Sequence, residues 1–88
     1  MIWEEVRVNM ITVYILMKIE IGKTEQVLER LRSILEATKI AVVTGIYDII
    51  VRLEVQDLDE LYNITLKIHS IPGIRETSTA VVEKMLYS

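Results

Sequence analysis

The order of hydrophobic periodicities along the chain constrains its fold more than any other feature. Alternation with a period of two predicts strands over residues 11–21, 39–44, 47–55 and 74–82. Apolar spacing of three and four predicts helices over 25–37 and 58–71. Since each strand–helix–strand unit needs a right-handed crossover, the simplest arrangement is a ferredoxin-like α+β fold. It has the order βαββαβ, with a four-stranded antiparallel sheet and both helices on one face, as in dimeric α/β barrels.

Local signals predict where these elements begin and end. Thr24 is predicted to cap the first helix. Asp57 and Glu60 form an acidic variant of the capping box before the second helix, which Pro72 and Gly73 end. Gly45 and Ile46 fit the central positions of a type II′ hairpin turn. Helical spacing predicts which residues of each helix point toward the core. They are Val27, Leu28, Leu31, Ile34 and Leu35 in the first helix and Leu61, Ile64, Thr65 and Ile68 in the second.

The chain is unusually apolar for a single domain of 88 residues. Hydrophobic residues make up 51% of it, and so small a domain has little interior to hide them. The predicted sheet face without helices carries Tyr14, Leu16 and Ile50, with Ala80 and Val82. We therefore predict a symmetric dimer or a higher assembly, although scattered surface apolar residues alone need no such explanation. Residues 1–9 are predicted to form an N-terminal arm or to extend the first strand, and 10–88 to form the domain.

Composition argues against several functional classes. Without cysteine, a disulfide framework and a thiolate metal site are excluded. A net charge of −3 with scattered basic residues argues against direct binding of nucleic acid. The sequence has neither the ~18 uninterrupted apolar residues of a membrane span nor a signal peptide, so we predict a cytoplasmic protein. No cofactor is predicted.

Four groups of polar side chains are candidates for chemistry. His69 is the only histidine, and we interpret it as a cation at a helix end. Asp57, Asp59 and Glu60 are interpreted as helix caps and not as metal ligands. Asp48 either terminates the hairpin by accepting N–H groups near Gly45 or serves as an anion for a ligand ammonium group. The hydroxyls Thr77, Ser78 and Thr79 are either ordinary strand residues or donors to a ligand carboxylate, with Ser78 facing opposite to the other two.

From about Ile11 onward, the chain resembles the effector-binding RAM domain of the Lrp/AsnC family of feast/famine regulators. Gly45, Tyr47 and Asp48, within VVTGIYDIIVRLEV, match the family's G-x-Y-D hairpin. The stretch DLDELYNI matches as well. Pro72, Gly73 and Ile74, with Thr77 and Thr79 in IPGIRETSTAVV, match its P-G-V-x-x-T-x-T segment. Ile46 stands where the family often has a polar or acidic residue.

The resemblance implies a function and a set of site residues. Family modules follow a DNA-binding helix-turn-helix, dimerise through their sheets, join into rings and bind an amino acid between dimers. Asp48 would receive the ammonium group of the ligand, and Gly45 and Ile46 would allow close backbone approach. The remaining lining would come from Val42 and Tyr47 and, on the other wall, from Thr77, Ser78, Thr79 and Ala80. With nine residues before the first strand, we expect a stand-alone form of the module.

The resulting hypothesis is a non-enzymatic, amino-acid-binding homo-oligomer that modulates full-length regulators by co-assembly. One alternative is a small enzyme on a dimeric ferredoxin-like fold, which would hold His69 inside its own cleft. The other is a purely structural oligomer that binds no ligand.

Overall fold

The fold is the predicted ferredoxin-like one. The computed structural model describes residues 10–87; the predicted arm, residues 1–9, lies outside them. The elements are β1 (Ile11–Ile19), α1 (Thr24–Leu31), β2 (Ala37–Val42), β3 (Ile49–Val55), α2 (Leu58–His69) and β4 (Ile74–Val81). They form one sheet of order β2-β3-β1-β4, in which all neighbouring strands are antiparallel. Of the helices described, neither is long and apolar enough to span a membrane.

One face of the two central strands forms the core. Alternate residues of β1 and β3 are buried there, because successive side chains of a strand point to opposite faces. Both helices cover this face with residues spaced four apart, Val27 and Leu31 in α1 and Ile64 and Ile68 in α2. Full burial of each such side chain stabilises the fold by about 1.5–3 kcal/mol. The buried strand residues are Val13, Ile15, Met17, Ile19, Ile49, Val51, Leu53 and Val55.

Helix α1 is shorter than its periodicity predicts. It begins at Thr24, so the predicted cap is wrong; the residue before it, Lys23, makes no side-chain cap hydrogen bond. It ends at Leu31, because the Ser33 hydroxyl and backbone N–H both donate to the Arg30 carbonyl and turn the chain. Leu35 is consequently 92% exposed, against the prediction that it lies in the core.

Helix α2 begins with the predicted capping box. The N–H of Glu60 donates to Asp57 Oδ1 at 2.8 Å, and Glu60 Oε1 accepts the N–H of Gln56 at 2.7 Å. The Asp57 carboxylate therefore satisfies a helix N–H group that lacks a partner within the helix, whereas the Glu60 carboxylate binds the N–H of Gln56, the residue before the cap. The described residues 10–87 contain no cluster of acidic or histidine side chains suited to a metal ion.

The side of the sheet that neither helix of residues 10–87 covers, here called the open face, carries the predicted apolar residues. Leu16 pairs with Ile50 of β3 on one side and with Ser78 of β4 on the other. Tyr14 in the same way lies between Arg52 and Ala80. Leu16, Tyr14 and Ile50 are only half-buried in the protomer. A sheet face in water is normally polar, so this row of side chains is suited to contact with another chain.

Candidate ligand-binding site

The hairpin between β2 and β3 has a longer loop than predicted. The last backbone bond between the strands joins the N–H of Val43 to the Asp48 carbonyl at 2.9 Å, which leaves residues 44–47 as the loop. The predicted two-residue turn over Gly45 and Ile46 is wrong, because the last bond between the strands lies at Val43 and Asp48 and no backbone bond described joins Thr44 to Tyr47. Gly45 lies in the loop with φ +125°, a conformation that favours glycine.

Asp48 is held by the neighbouring strand. Its Oδ2 accepts the N–H of Ile19, the last residue of β1, at 2.8 Å. The partner expected near Gly45 was therefore wrong; the carboxylate instead completes the hydrogen bonding of β1 where β3 turns away. The side chain is half-buried, and the hydrogen bond described for it uses Oδ2. Its other oxygen remains able to accept further hydrogen bonds.

The other predicted hairpin residues form an exposed rim around Asp48. Val42 is 60% and Ile46 76% exposed, Gly45 is exposed, and Tyr47 is half-buried. Val42 pairs with the core residue Ile49, but both Val42 and Ile46 leave most of their surface exposed and available to contact a ligand or a neighbouring chain.

The predicted residues of β4 divide between the two faces of the sheet. Thr77 and Thr79 pair with the core residues Met17 and Ile15 and therefore lie on the helix side. Ser78 pairs with Leu16, and Ala80 with Tyr14, so these two lie on the open face. The alternation is the predicted one. It also means that a small ligand bound to one protomer from one side cannot contact all four side chains.

The hairpin and β4 contribute to the same end of the sheet. Asp48 contacts Ile19, and Thr77 pairs with Met17, so both lie beside the last residues of β1. They are on opposite sides of that strand, roughly two strand spacings of ~4.8 Å apart. Each protomer thus presents two partial binding surfaces and not one enclosed cavity that contains all the predicted residues.

His69 was not predicted as a site residue, yet it contacts one. Its Nε2 lies 3.1 Å from Thr77 Oγ1. His69 is exposed at the end of α2 and lines a cleft of about 260 Å³ with residues 74–77. No local pattern predicts this contact, because the register of β4 against β1 decides where Thr77 lies.

A larger cleft of about 710 Å³ lies at the opposite end of the sheet, with Leu35, Arg52, Glu54 and Glu60 among its lining residues. None of the predicted site residues lines it. We favour the Asp48 end as the ligand site because it carries a carboxylate on one side of β1 and a hydroxyl on the other, and these groups can recognise an amino acid.

Comparison with known proteins identifies the class. Residues 12–88 match the family model described as the Lrp/AsnC ligand binding domain. The chain therefore belongs to the Lrp/AsnC family, and it corresponds to the ligand-binding part of that family. Its resemblance to the G-x-Y-D hairpin and to the P-G-V-x-x-T-x-T segment is confirmed at the level of the family.

Individual relatives agree. The HTH-type transcriptional regulator FL11 of Pyrococcus horikoshii is 35% identical over 71 residues, which cover 81% of this chain and 47% of FL11. The chain spans about half the length of the curated relatives it matches. The crystal structure of FFRP-DM1 is 40% identical with a TM-score of 0.77, covering 82% of this chain and 97% of that one.

A second similar structure is that of the transcriptional regulator NMB0573 from Neisseria meningitidis, solved as a complex with L-Met. It is 20% identical, with a TM-score of 0.84, and the match covers 93% of this chain and 56% of that one. At this identity the similarity shows the shared fold alone. FL11 and NMB0573 are both named as transcriptional regulators.

Proposed function

We propose that this protein is an oligomer-forming module that binds a free amino acid in clefts between protomers. The observation that carries the proposal is the Asp48 carboxylate, held by Ile19 at the end of the sheet with an oxygen left to accept further bonds. A charge-assisted hydrogen bond to a ligand ammonium group is about twice as strong as a neutral one. Covering that carboxylate with a second chain is unfavourable unless a cation meets it.

The open face supports the assembly part of the proposal. Leu16, Tyr14 and Ile50 form a half-buried apolar row that a second copy would cover in a homodimer. Further contacts between dimers, closing a ring, would place the rim residues Val42 and Ile46 against a neighbour. Since such a cleft exists only in the assembly, ligand binding and oligomerisation stabilise each other.

We further propose that the module acts in the cytoplasm by co-assembly with full-length regulators of its family. The curated relatives are about twice as long and are named as HTH-type regulators. A module with the same fold offers them an equivalent open face, and it would change the geometry of the mixed assembly without contacting DNA itself.

The test measures the melting temperature and the sedimentation of the purified protein with each of the twenty L-amino acids. We expect one or a few of them to raise the melting temperature and to shift the assembly. Asp48→Asn should weaken binding of the best one about 10- to 150-fold, since a hydrogen bond between charged groups contributes about 1.5–3 kcal/mol. Its amide oxygen can still accept the N–H of Ile19, so the fold should persist.

Asp59→Asn is the matched control, because it removes an acidic side chain from the first turn of α2, away from the site. It should leave ligand affinity unchanged. If none of the twenty amino acids changes melting or sedimentation, sensing is excluded. The alternative of a purely structural oligomer would then remain, in which Asp48 only accepts the N–H of Ile19 and stabilises the end of the hairpin.

A further inference from the structure

The hydrogen bond between His69 and Thr77 gives the proposed site a feature that the family resemblance does not include. Thr77 was assigned to the ligand cleft by the matching P-G-V-x-x-T-x-T segment. Nε2 of His69 lies 3.1 Å from its Oγ1. A threonine hydroxyl has one proton to donate and two lone pairs that accept. The protonation of the imidazole therefore decides whether that proton is used on His69 or remains available to a ligand.

The possible states of the pair differ in what Thr77 offers. If Nε2 carries no proton, it accepts the Thr77 proton, and the hydroxyl presents only lone pairs, which repel a carboxylate. If Nε2 carries a proton, it donates to Oγ1, and the hydroxyl proton is available. In the imidazolium form both ring nitrogens are donors, so only the second arrangement exists.

We propose that His69 is a positioning residue of the effector site, which directs the Thr77 hydroxyl proton toward the carboxylate of a bound amino acid. This rests on the proposed function. It assigns to α2 a role in recognition, whereas the predicted site consists of the hairpin and β4 alone. It also makes the binding of carboxylate-bearing ligands stronger when the imidazole carries both of its protons than when Nε2 carries none.

The surroundings of His69 contain charges of both signs. Arg75 and Glu76 of β4 line the same cleft. Glu76 is also 4.0 Å from Lys18 of β1, and Lys67 lies in the last turn of α2 itself. Glu76 is partly neutralised by Lys18, so an imidazolium at His69 would act with Arg75 of the same cleft in attracting a carboxylate, whereas Lys67 lines a different cleft beside α1. The imidazolium also lies at the C-terminal end of α2, where the helix dipole favours a cation.

The experiment measures, by calorimetry at pH 6 and pH 8, the affinity of the L-amino acid that raises the melting temperature most. The wild-type protein should bind it about fivefold more tightly at pH 6, because a charge-assisted hydrogen bond is roughly twice as strong as a neutral one. His69→Gln retains a neutral donor and should bind with an affinity that no longer depends on pH. His69→Ala should bind about two- to tenfold more weakly than wild type at pH 6.

Thr77→Val separates positioning from a simple effect of charge. It keeps the shape of the side chain but removes the hydroxyl, so His69→Ala should have no further effect in the Thr77→Val background. If His69→Ala weakens binding equally in both backgrounds, the charge acts directly on the ligand, and the positioning role is overturned. Because His69 is exposed, circular dichroism should show an intact fold in every variant.

The outcomes also distinguish this inference from the function on which it rests. If the wild-type protein binds none of the amino acids, the proposed function fails, and this inference fails with it. If the wild-type protein binds one of them and the His69 variants have the same affinities and pH dependence, only the inference is overturned.

Discussion

At the scale of single residues, Asp48 and Gly73 show how one position can join separate elements. Asp48 connects the start of β3 to the end of β1 through its side chain. Gly73 follows α2 and has no side chain, but its backbone carbonyl accepts the N–H of Glu20 at 2.8 Å. Its Cα lies against α1, where a Cβ would be 2.9 Å from Cβ of Lys23 and 3.1 Å from Cγ2 of Val27.

Substitution of Gly73 by alanine should therefore destabilise the protein strongly. Its φ of +102° disfavours any Cβ by about 1–2 kcal/mol, and the contacts with Lys23 and Val27 should add about 1–3 kcal/mol. Gly22→Ala is the matched control, because Gly22 has φ +84° and no atom within 4 Å of its would-be Cβ. Urea denaturation should show the larger loss for Gly73→Ala; equal losses would mean that the contact with α1 relaxes freely.

The residue types at the site were predictable, but their partners were not. The G-x-Y-D pattern indicated Asp48, and the run of hydroxyls indicated β4. The bond from Asp48 to Ile19 spans 29 positions and depends on how β1 and β3 end, which no local pattern records. The contact of His69 with Thr77 depends in the same way on the packing of α2 beside β4.

At the scale of elements, the two helices differ in how they begin. Helix α2 has the capping box of Asp57 and Glu60, whereas the residue before α1 makes no side-chain cap bond. Asp57→Ala should lower the free energy of unfolding by about 1 kcal/mol, because the N–H of Glu60 loses its acceptor.

Asp59→Ala is the comparison for this helix, since Asp59 lies in the same first turn and only interacts with the helix dipole. Asp59→Ala should lower the free energy of unfolding by only about a few tenths of a kcal/mol, at the lower end of the effects of charges near helix ends. Thermal or urea denaturation of the two variants measures the difference. If both lose the same stability, the cap contributes nothing beyond its charge.

Element boundaries were less predictable than the elements themselves. The apolar spacing of α1 continues to Leu35, but the helix ends at Leu31 because Ser33 takes the Arg30 carbonyl. The apolar residues at positions 34 and 35 instead belong to the connection that leads into β2, where Ala37 pairs with Leu53. In α2 the cap and the Pro72–Gly73 stop were both strong signals, and both ends of the helix lie within two residues of the predicted positions.

At the scale of the whole molecule, the fold was predictable because it follows from the order of six segments and from the handedness of two crossovers. The binding site was only partly predictable. Its groups lie on both sides of β1, and the proposal completes them with a second chain that the sequence of one chain does not describe. The apolar open face was the sequence signal for that second chain.

The role of the open face can be tested by a charge. Leu16→Glu places a carboxylate in the middle of the apolar row, between Ile50 and Ser78. Since Leu16 points away from the core, the circular dichroism spectrum should remain that of the folded protein. Sedimentation should shift from an assembly to a monomer, because burying an unpaired charge between two sheets is strongly unfavourable.

Tyr62→Glu is the control for this variant, because Tyr62 is 64% exposed on the outer side of α2. It adds the same charge and should leave the assembly intact. If Leu16→Glu sediments like the wild-type protein, the copies do not meet through the open face.

The bond between Asp48 and Ile19 has a consequence for how such a module can diversify. In the proposed site, a substitution at Asp48 that removes the acceptor for the Ile19 N–H would alter ligand recognition and the end of β1 together, so this position is a poor place for evolution to try new specificities. Val42 and Ile46 are mostly exposed and are not among the buried core residues of their own protomer. In the proposed site, new preferences for the size or polarity of an effector can therefore arise at these two rim positions while Asp48 is inherited unchanged.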